Sequence, residues 1–142
     1  MEGFFNKKMW AVPFLALVMT ISHSSLCNAG RKHPEVYYQK EWCAAQNGTL
    51  ESVVPSGARC DCLTTTHAIE FDFADKWAEA IGQSLHYATQ TEKKAGIVII
   101  MENPDRDNKL LKRLKMTIEE NDLPIDYWLL IPMNIKTNKR LK

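Results

Sequence analysis

Three carboxylates stand close together on what the sequence indicates are neighbouring β-strands. Asp61 lies in the short run Arg59–Leu63. Glu70 and Asp72 lie in the alternating run His67–Phe73, and they share a face because residues two apart on a strand point the same way. An adjacent strand can present Asp61 beside them, and like charges at that distance are costly unless a cation binds between them. The pattern predicts an acidic cluster suited to Mg²⁺, which prefers oxygen ligands.

A polar stripe on the next segment is the second candidate feature. Residues 74–89 have the patterning of a helix. Lys76, Gln83 and Tyr87 stand on it at i, i+7 and i+11, within about 20° at 100° per residue. A polar row beside the core-facing side of a helix favours a position that looks into a cleft. The stripe and the acids are therefore expected to face one another.

The order of these features resembles the PD-(D/E)XK nuclease superfamily, in particular its RecB-like branch. That family has a restriction-endonuclease-like αβββαβ core with a mixed central sheet flanked by helices. Its motifs are an acid on the second strand, an acid pair on the third, and Gln-x-x-x-Tyr on the following helix. In this chain they are Arg59-Cys60-Asp61, Glu70-Phe71-Asp72 and Gln83-Ser84-Leu85-His86-Tyr87. The resemblance spans residues 35–131 and implies an α/β domain of that fold.

The resemblance also implies metal-dependent hydrolysis of phosphodiester bonds in DNA or RNA. Asp61 and Glu70 would hold Mg²⁺ or Mn²⁺, which polarises the phosphoryl oxygen and lowers the pKa of its bound water. Asp72 is a further candidate ligand. Glu41, on the predicted first helix, would supply another carboxylate, as the first helix does in some members of that family.

The chain departs from the family pattern at its lysine. The family places a lysine two residues after the second acid, and here that residue is Asp72. Lys76 follows four residues later, at the start of the predicted helix, and would orient the attacking water or neutralise charge on the phosphate. Gln83 and Tyr87 would hydrogen-bond the metal-site water or the nucleic-acid backbone. Together with the acids they complete the predicted catalytic set.

Residues 1–29 are typical of a secretory signal. Lys7 and Lys8 precede the apolar run 9–21, and the segment ends in the small residue Ala29. The apolar run is too short to cross a bilayer of about 30 Å unaided, so cleavage is favoured over an uncleaved anchor. We expect an exported protein, in the periplasm or outside the cell, with no membrane span after cleavage. Residues 30–142 would then form a single domain.

Charge and cysteine content narrow the possibilities further. Removing residues 1–29 takes two of the 18 basic and one of the 17 acidic residues, so the mature part is nearly neutral and not a strongly basic nucleic-acid binder. In an oxidising compartment Cys43 is expected to pair with either Cys60 or Cys62. The third cysteine would remain free.

The elements predicted around these residues follow the order αβββαβαβ. Apolar spacing and turn residues give helices at 34–45, 74–89 and 105–121, and strands at 49–54, 59–63, 67–73, 96–101 and 125–131. The polar tail 134–142 is expected to fray.

Two functions from different classes remain open at this stage. The first is an exported Mg²⁺- or Mn²⁺-dependent nuclease acting on DNA or RNA. The second is a catalytically inactive module of the same fold, which binds a partner in the envelope or outside the cell. The acids, Lys76 and the Gln-x-x-x-Tyr motif favour the nuclease, whereas Asp72 in the lysine position and the neutral charge favour the module. A homodimer or a protein partner is compatible with either.

Overall fold

A computed structural model of the chain describes residues 30–132 and 140–141. The predicted signal, residues 1–29, lies outside the described residues, and so does most of the tail. No helix in the described ranges is long and apolar enough to cross a membrane.

Six strands form one mixed sheet in chain order, from β1 at one edge to β6 at the other. The first three strands form an antiparallel meander, β3 to β5 run parallel, and β6 is antiparallel to β5. This mixed sheet, flanked by helices, confirms the α/β class. The elements are α1 (Glu35–Ala45), β1 (Thr49–Val53), β2 (Arg59–Leu63), β3 (His67–Phe73), a 3₁₀ turn (Ala74–Lys76), α2 (Trp77–Thr91), β4 (Lys94–Ile100), α3 (Pro104–Glu120), β5 (Ile125–Leu130) and β6 (Arg140–Leu141).

The core lies in two layers, one on each face of the sheet. Ile97 and Ile99 of β4 pack towards α2 and α3, while Val98 and Ile100 of the same strand pack towards α1. Successive residues of a strand point to opposite faces, so a strand buried on both faces has to be continuously apolar. The run in β4 meets that requirement and explains why the sequence pattern located it.

A disulfide bond joins Cys43 of α1 to Cys62 of β2. It resolves the pairing that the sequence left open, and Cys60 remains a buried free thiol. Gly48 packs directly against the bond, because a Cβ at that position would lie 2.5 Å from the Cys62 Sγ and 2.6 Å from the Cys43 Sγ. The bond fixes α1 across one face of the meander and agrees with an exported protein.

Two local features differ from the expectation. Arg140 and Leu141 of the tail pair with β5 as a two-residue strand, where fraying was predicted. The predicted helix from residue 74 begins as the 3₁₀ turn Ala74–Lys76 and becomes α-helical only at Trp77. The second difference matters for the site, because it sets the direction from which Lys76 approaches the strands.

Candidate acidic site

The first two strands are irregular where Glu51 of β1 lies opposite Asp61 of β2. The flanking pairs of β1 and β2 are in register, but opposite Asp61 the backbone of Glu51 is left-handed, with φ 50°. Cys60 and Cys62 are two residues apart yet pack in clusters on different faces of the sheet. The Asp61 carboxylate accepts a hydrogen bond from the Phe71 backbone N–H at 2.8 Å. A side chain of β2 thus accepts a hydrogen bond from the backbone of β3, which places Asp61 next to Glu70 and Asp72.

The Asp61 and Glu70 carboxyls lie close enough for each to shift the pKa of the other, and a proton on either one would allow a hydrogen bond between them. Glu70 is 5% exposed, and its Oε2 is buried without a hydrogen-bond partner among the described residues. Burial and the neighbouring charge of Asp61 raise the pKa of Glu70 well above its ordinary value. Burial also raises the pKa of Asp61, although the hydrogen bond from Phe71 opposes the rise. The pair therefore holds a proton more tightly than isolated carboxyls do.

Asp72 lies on the same face as Glu70 and is 3% exposed. Its Oδ1 accepts a hydrogen bond from the Phe73 backbone N–H at 3.0 Å. Burial raises the pKa of Asp72 to about 7, although the charge of Lys76 acts in the opposite direction. The Lys76 Nζ is 4.0 Å from the Asp72 Oδ1, too far for a hydrogen bond. Asp72 consequently carries an uncompensated cost of burial.

Glu35, in the first turn of α1, is a fourth carboxylate of this cluster. Burial and the charge of Asp61 raise the pKa of Glu35 to about 7, while Lys76, a hydrogen bond from Gln39 and Arg31 lower it. The Gln39 Nε2 donates to the Glu35 Oε1 at 2.8 Å. We define the acid cluster as Asp61, Glu70, Asp72 and Glu35.

The sequence analysis chose Glu41 from α1 and passed over Glu35. Glu41 is exposed, and within the described ranges no hydrogen bond or ion pair joins it to the acid cluster. The signal for Glu35 was present, because Gln39 and Trp42 are buried on α1 and Glu35 precedes them by four and seven residues. Following the buried face of the helix back to its first turn leads to Glu35, on the same side.

The structure brings the predicted helix residues to the acid cluster. Tyr87 is 5% exposed, and its pKa is raised by burial and by the charges of Glu70 and Asp61. Gln83 is exposed and lies close enough to Tyr87 to oppose the rise of its pKa. The Lys76 side chain is 46% exposed and lies between Asp72 and an acid of its own helix, Glu79, at 3.9 Å. The stripe therefore borders the acids from a buried end to a solvent-exposed end.

The chemistry of the acid cluster fits a hard cation, although its geometry is not that of a formed metal site. Among the described residues, no three His, Cys, Asp or Glu side chains are arranged to hold a metal ion. The fit rests on the donors: all are carboxylate oxygens, and the buried Glu70 Oε2 has no partner. Because the pKa values of these carboxyls are raised, a cation would compete with protons for the site.

Searches of known protein families, curated proteins and solved structures found no match to the chain. The resemblance to the PD-(D/E)XK superfamily therefore rests on the order of the motifs and on the α/β architecture that carries them.

Proposed function

We propose that the chain is an exported, metal-dependent nuclease that hydrolyses phosphodiester bonds in DNA or RNA. The observation that carries the proposal is the acid cluster, whose four carboxyls are drawn together from α1, β2 and β3 and all have raised pKa values. Such an arrangement costs stability when the groups ionise. A divalent cation removes that cost, and a metal-dependent phosphodiester hydrolase uses such an ion in its chemistry.

The residues of the cluster would divide the work as follows. A bound Mg²⁺ or Mn²⁺ polarises the phosphoryl oxygen and lowers the pKa of its water. Asp61 and Glu70 would hold the ion, because their carboxyls lie close together and Glu70 keeps a buried oxygen without a partner among the described residues. Asp72 and Glu35 would add negative charge around it. The site is thereby anchored on two strands and one helix.

Lys76 is the residue proposed to act on the phosphate. Its ammonium group is partly exposed and 4.0 Å from Asp72, so it can face both the cluster and an approaching substrate. A cation in this position would orient the attacking water or offset charge on the phosphate oxygens. Gln83 is exposed on the same stripe and can donate to the nucleic-acid backbone, while Tyr87 is buried near Glu70 and Asp61.

Architecture and compartment support the same proposal. The order of helix, three strands, helix and strand is the order of the PD-(D/E)XK core, and the acids and the Gln-x-x-x-Tyr pair occur on the corresponding elements. The disulfide between Cys43 and Cys62 is typical of proteins that work in an oxidising compartment. Export and a nuclease site are thus compatible within one small domain.

Cleavage by the purified mature chain tests this function. Single-stranded DNA, double-stranded DNA and RNA are each incubated with Mn²⁺, with Mg²⁺ and with EDTA. We expect metal-dependent cutting that falls at least about a hundredfold in Asp61→Ala and in Lys76→Ala. Lys112→Ala, an exposed lysine of α3, is the matched control and should cut like the parent. Cutting that persists in EDTA or in Asp61→Ala would contradict the proposal.

The second candidate is the inactive module of the same fold, which binds a partner. It is favoured by the finding that no three-ligand metal group is formed within the described ranges. It is also favoured by Asp72, which occupies the position of the family lysine. Failure to cut any of the three substrates, together with no stabilisation by Mn²⁺, would decide for this module.

A further inference from the structure

Three side chains at the start of β3 form a chain of hydrogen bonds. The His67 Nε2 is 2.9 Å from the Asp126 Oδ2, and its Nδ1 is 2.8 Å from the Thr66 Oγ1. One neutral tautomer satisfies both contacts, because Nε2–H then donates to Asp126 while Nδ1 accepts from the Thr66 hydroxyl. His67 is three residues before Glu70, so its side chain faces the other side of the sheet. A hydroxyl thus contacts a base, and a carboxylate orients that base.

The contact between His67 and Asp126 crosses the middle of the sheet. His67 belongs to β3 and Asp126 to β5, while Gly96 of β4 lies between them and pairs with Asp126 and Ile69. A Cβ at position 96 would lie 3.0 Å from the side chains of Ile69 and Trp128 and 3.6 Å from the His67 Cβ. Neighbouring strands are about 4.8 Å apart, so two side chains that meet over a strand need space above it. Glycine leaves that space for the imidazole.

A cavity of about 260 Å³ adjoins the hydroxyl and the base, since Thr66 and His67 both contribute to its lining. Thr66 is exposed, whereas His67 is only 8% exposed. The eight lining residues, all within the described ranges, include no lysine, arginine, aspartate or glutamate. A small neutral group therefore has room beside the Thr66 hydroxyl, and the imidazole behind it is shielded from bulk water.

The turn before β3 also contributes a free donor and a positive charge. The Thr64 Oγ1 accepts hydrogen bonds from the backbone N–H groups of Thr66 and His67. The Thr65 N–H, in contrast, makes no hydrogen bond in the part of the chain that the structure describes. The Lys93 Nζ donates to the Thr65 carbonyl at 2.9 Å. An N–H group and a cation placed one residue from a nucleophile are the kinds of group that stabilise an oxyanion.

We propose that Thr66, His67 and Asp126 form a second catalytic site, which hydrolyses small neutral carboxylic esters through an acyl-enzyme. Thr66 is the nucleophile and His67 is the general base, while Asp126 positions the imidazole. A nucleophile within hydrogen-bond reach of a base, with a third group orienting that base, is the arrangement that this chemistry requires. The cavity is below the range of about 300–1,000 Å³ that is usual for larger ligands, so it suits a short acyl group such as acetyl.

The reaction has two steps. In the first, the Thr66 Oγ1 bonds to the ester carbonyl carbon and its proton passes to the His67 Nδ1. The bond from that carbon to the alcohol oxygen then breaks, and the alcohol leaves with the proton. In the second, water gives a proton to Nδ1 and its oxygen bonds to the acyl carbon. The bond to Thr66 breaks, Thr66 recovers the proton from His67, and the carboxylic acid leaves.

Incubation of the folded mature chain with p-nitrophenyl acetate in EDTA tests the proposal. p-Nitrophenol leaves readily, so the acyl-enzyme should accumulate, and mass spectrometry after an acid quench should find one acetyl group on Thr66. Thr66→Ala and His67→Gln should each lower turnover at least about a hundredfold, while Thr66→Ser should keep it. The glutamine amide can still donate to Asp126, so His67→Gln retains the link between β3 and β5.

Asp126 is tested through the kinetic parameters. Asp126→Asn offers the imidazole a donor instead of an acceptor and so favours the wrong tautomer. It should lower kcat at least about tenfold and leave KM unchanged. A fall in KM and kcat that merely follows a loss of folded protein, measured by thermal unfolding, would contradict this role.

A second hydroxyl–imidazole pair provides the matched control. The Ser56 Oγ is 2.9 Å from the His86 Nε2, but no carboxylate of the described residues hydrogen-bonds His86, and neither residue lines the cavity. Ser56→Ala should therefore react as the parent does. Parental turnover in Thr66→Ala, no acetyl group on Thr66, or a loss of turnover in Ser56→Ala would overturn the proposal. The assay contains neither metal nor nucleic acid, so its outcome is independent of the nuclease test.

Discussion

Two glutamates of the same small domain, Glu102 and Glu70, differ in their hydrogen-bond partners and in the direction of their pKa shifts. Glu102 follows β4 and receives donors at both oxygens: the Tyr38 hydroxyl at 2.6 Å and the backbone N–H groups of Lys32 and His33. Burial alone would raise its pKa, but these bonds hold the pKa of Glu102 below its ordinary value. Glu70 has a raised pKa and a buried oxygen without a partner among the described residues.

The difference shows that this fold can satisfy a carboxylate where stability is the only requirement. Glu102 links the segment before α1 to the end of β4, and hydrogen bonds stabilise its charged form. At the acid cluster, four carboxyls meet with one lysine at the border and too few donors. Buried groups left in such a state mark functional sites more often than structural ones. Four predictions test this difference between Glu102 and the acid cluster.

The largest expected effect is on the pH dependence of stability. Burial raises the pKa of Asp72 and that of Glu35 to about 7, so the folded state holds more protons than the unfolded state between about pH 4 and pH 7. The free energy of unfolding should therefore fall as the pH rises through that window, by about 3 kcal/mol. Urea unfolding at pH 5 and pH 8 measures it. The double variant Glu35→Gln/Asp72→Asn should reduce this slope, with the remainder due to Asp61 and Glu70, whose pKa values are also raised, and an equally steep fall in that variant would refute the prediction.

Replacing Glu102 by Gln should destabilise the chain by about 2 kcal/mol, because an amide offers only one acceptor oxygen to three donors. Thermal unfolding at pH 7 provides the measurement. Glu119→Gln makes the same chemical change at an exposed position of α3 and should stay within about 0.5 kcal/mol of the parent. Equal stability of the two variants would mean that Glu102 is not the anchor that its contacts indicate.

Divalent ions should stabilise the parent at pH 8, where protons compete least. At ten times the Kd, Mn²⁺ is expected to add about 1.4 kcal/mol by mass action. The gain should shrink at pH 5.5, because the cluster then holds its protons, and it should vanish in Glu70→Ala. A shift of the melting temperature that survives in Glu70→Ala would place the ion elsewhere.

The smallest effect is the most telling in sign. Glu70→Gln supplies a neutral side chain where the folded chain otherwise has to take up a proton at pH 8, and its amide can still donate to Asp61, so it should stabilise the chain by about 1 kcal/mol. The same substitution at Glu102 is expected to do the reverse. A loss of stability at both positions would show that Glu70 is held as firmly as Glu102, and the contrast between the two would disappear.

Much of the fold could be predicted from periodicity alone. The bounds of β2 and β3 agree with the sequence pattern, and the buried β4 was evident from its apolar run. The short strand β6 was missed because two paired residues in a polar tail carry no period. The choice between Cys60 and Cys62 was also beyond the sequence, since strict alternation would place both on one face. The irregularity at Asp61 separates them.

The residues of the candidate site on the strands and on α2 could be predicted from the sequence, but the residue that α1 contributes could not. Spacing placed Asp61, Glu70 and Tyr87 on elements that do come together. Glu35 was missed because an acid in the first turn of a helix is common, so the buried side of α1 was not followed back to that turn. Periodicity shows that a side chain faces inward but not whether it finds a partner there.

The bond between Cys43 and Cys62 joins two elements that each carry a carboxyl of the acid cluster. It clamps α1, which carries Glu35, onto β2, which carries Asp61. A chain with reduced cysteines lacks that clamp, and the two carboxyls from separate elements are then held near each other by packing alone. Oxidation therefore helps to hold together a site whose charges repel, and the redox state of the surroundings affects how firmly the site is assembled.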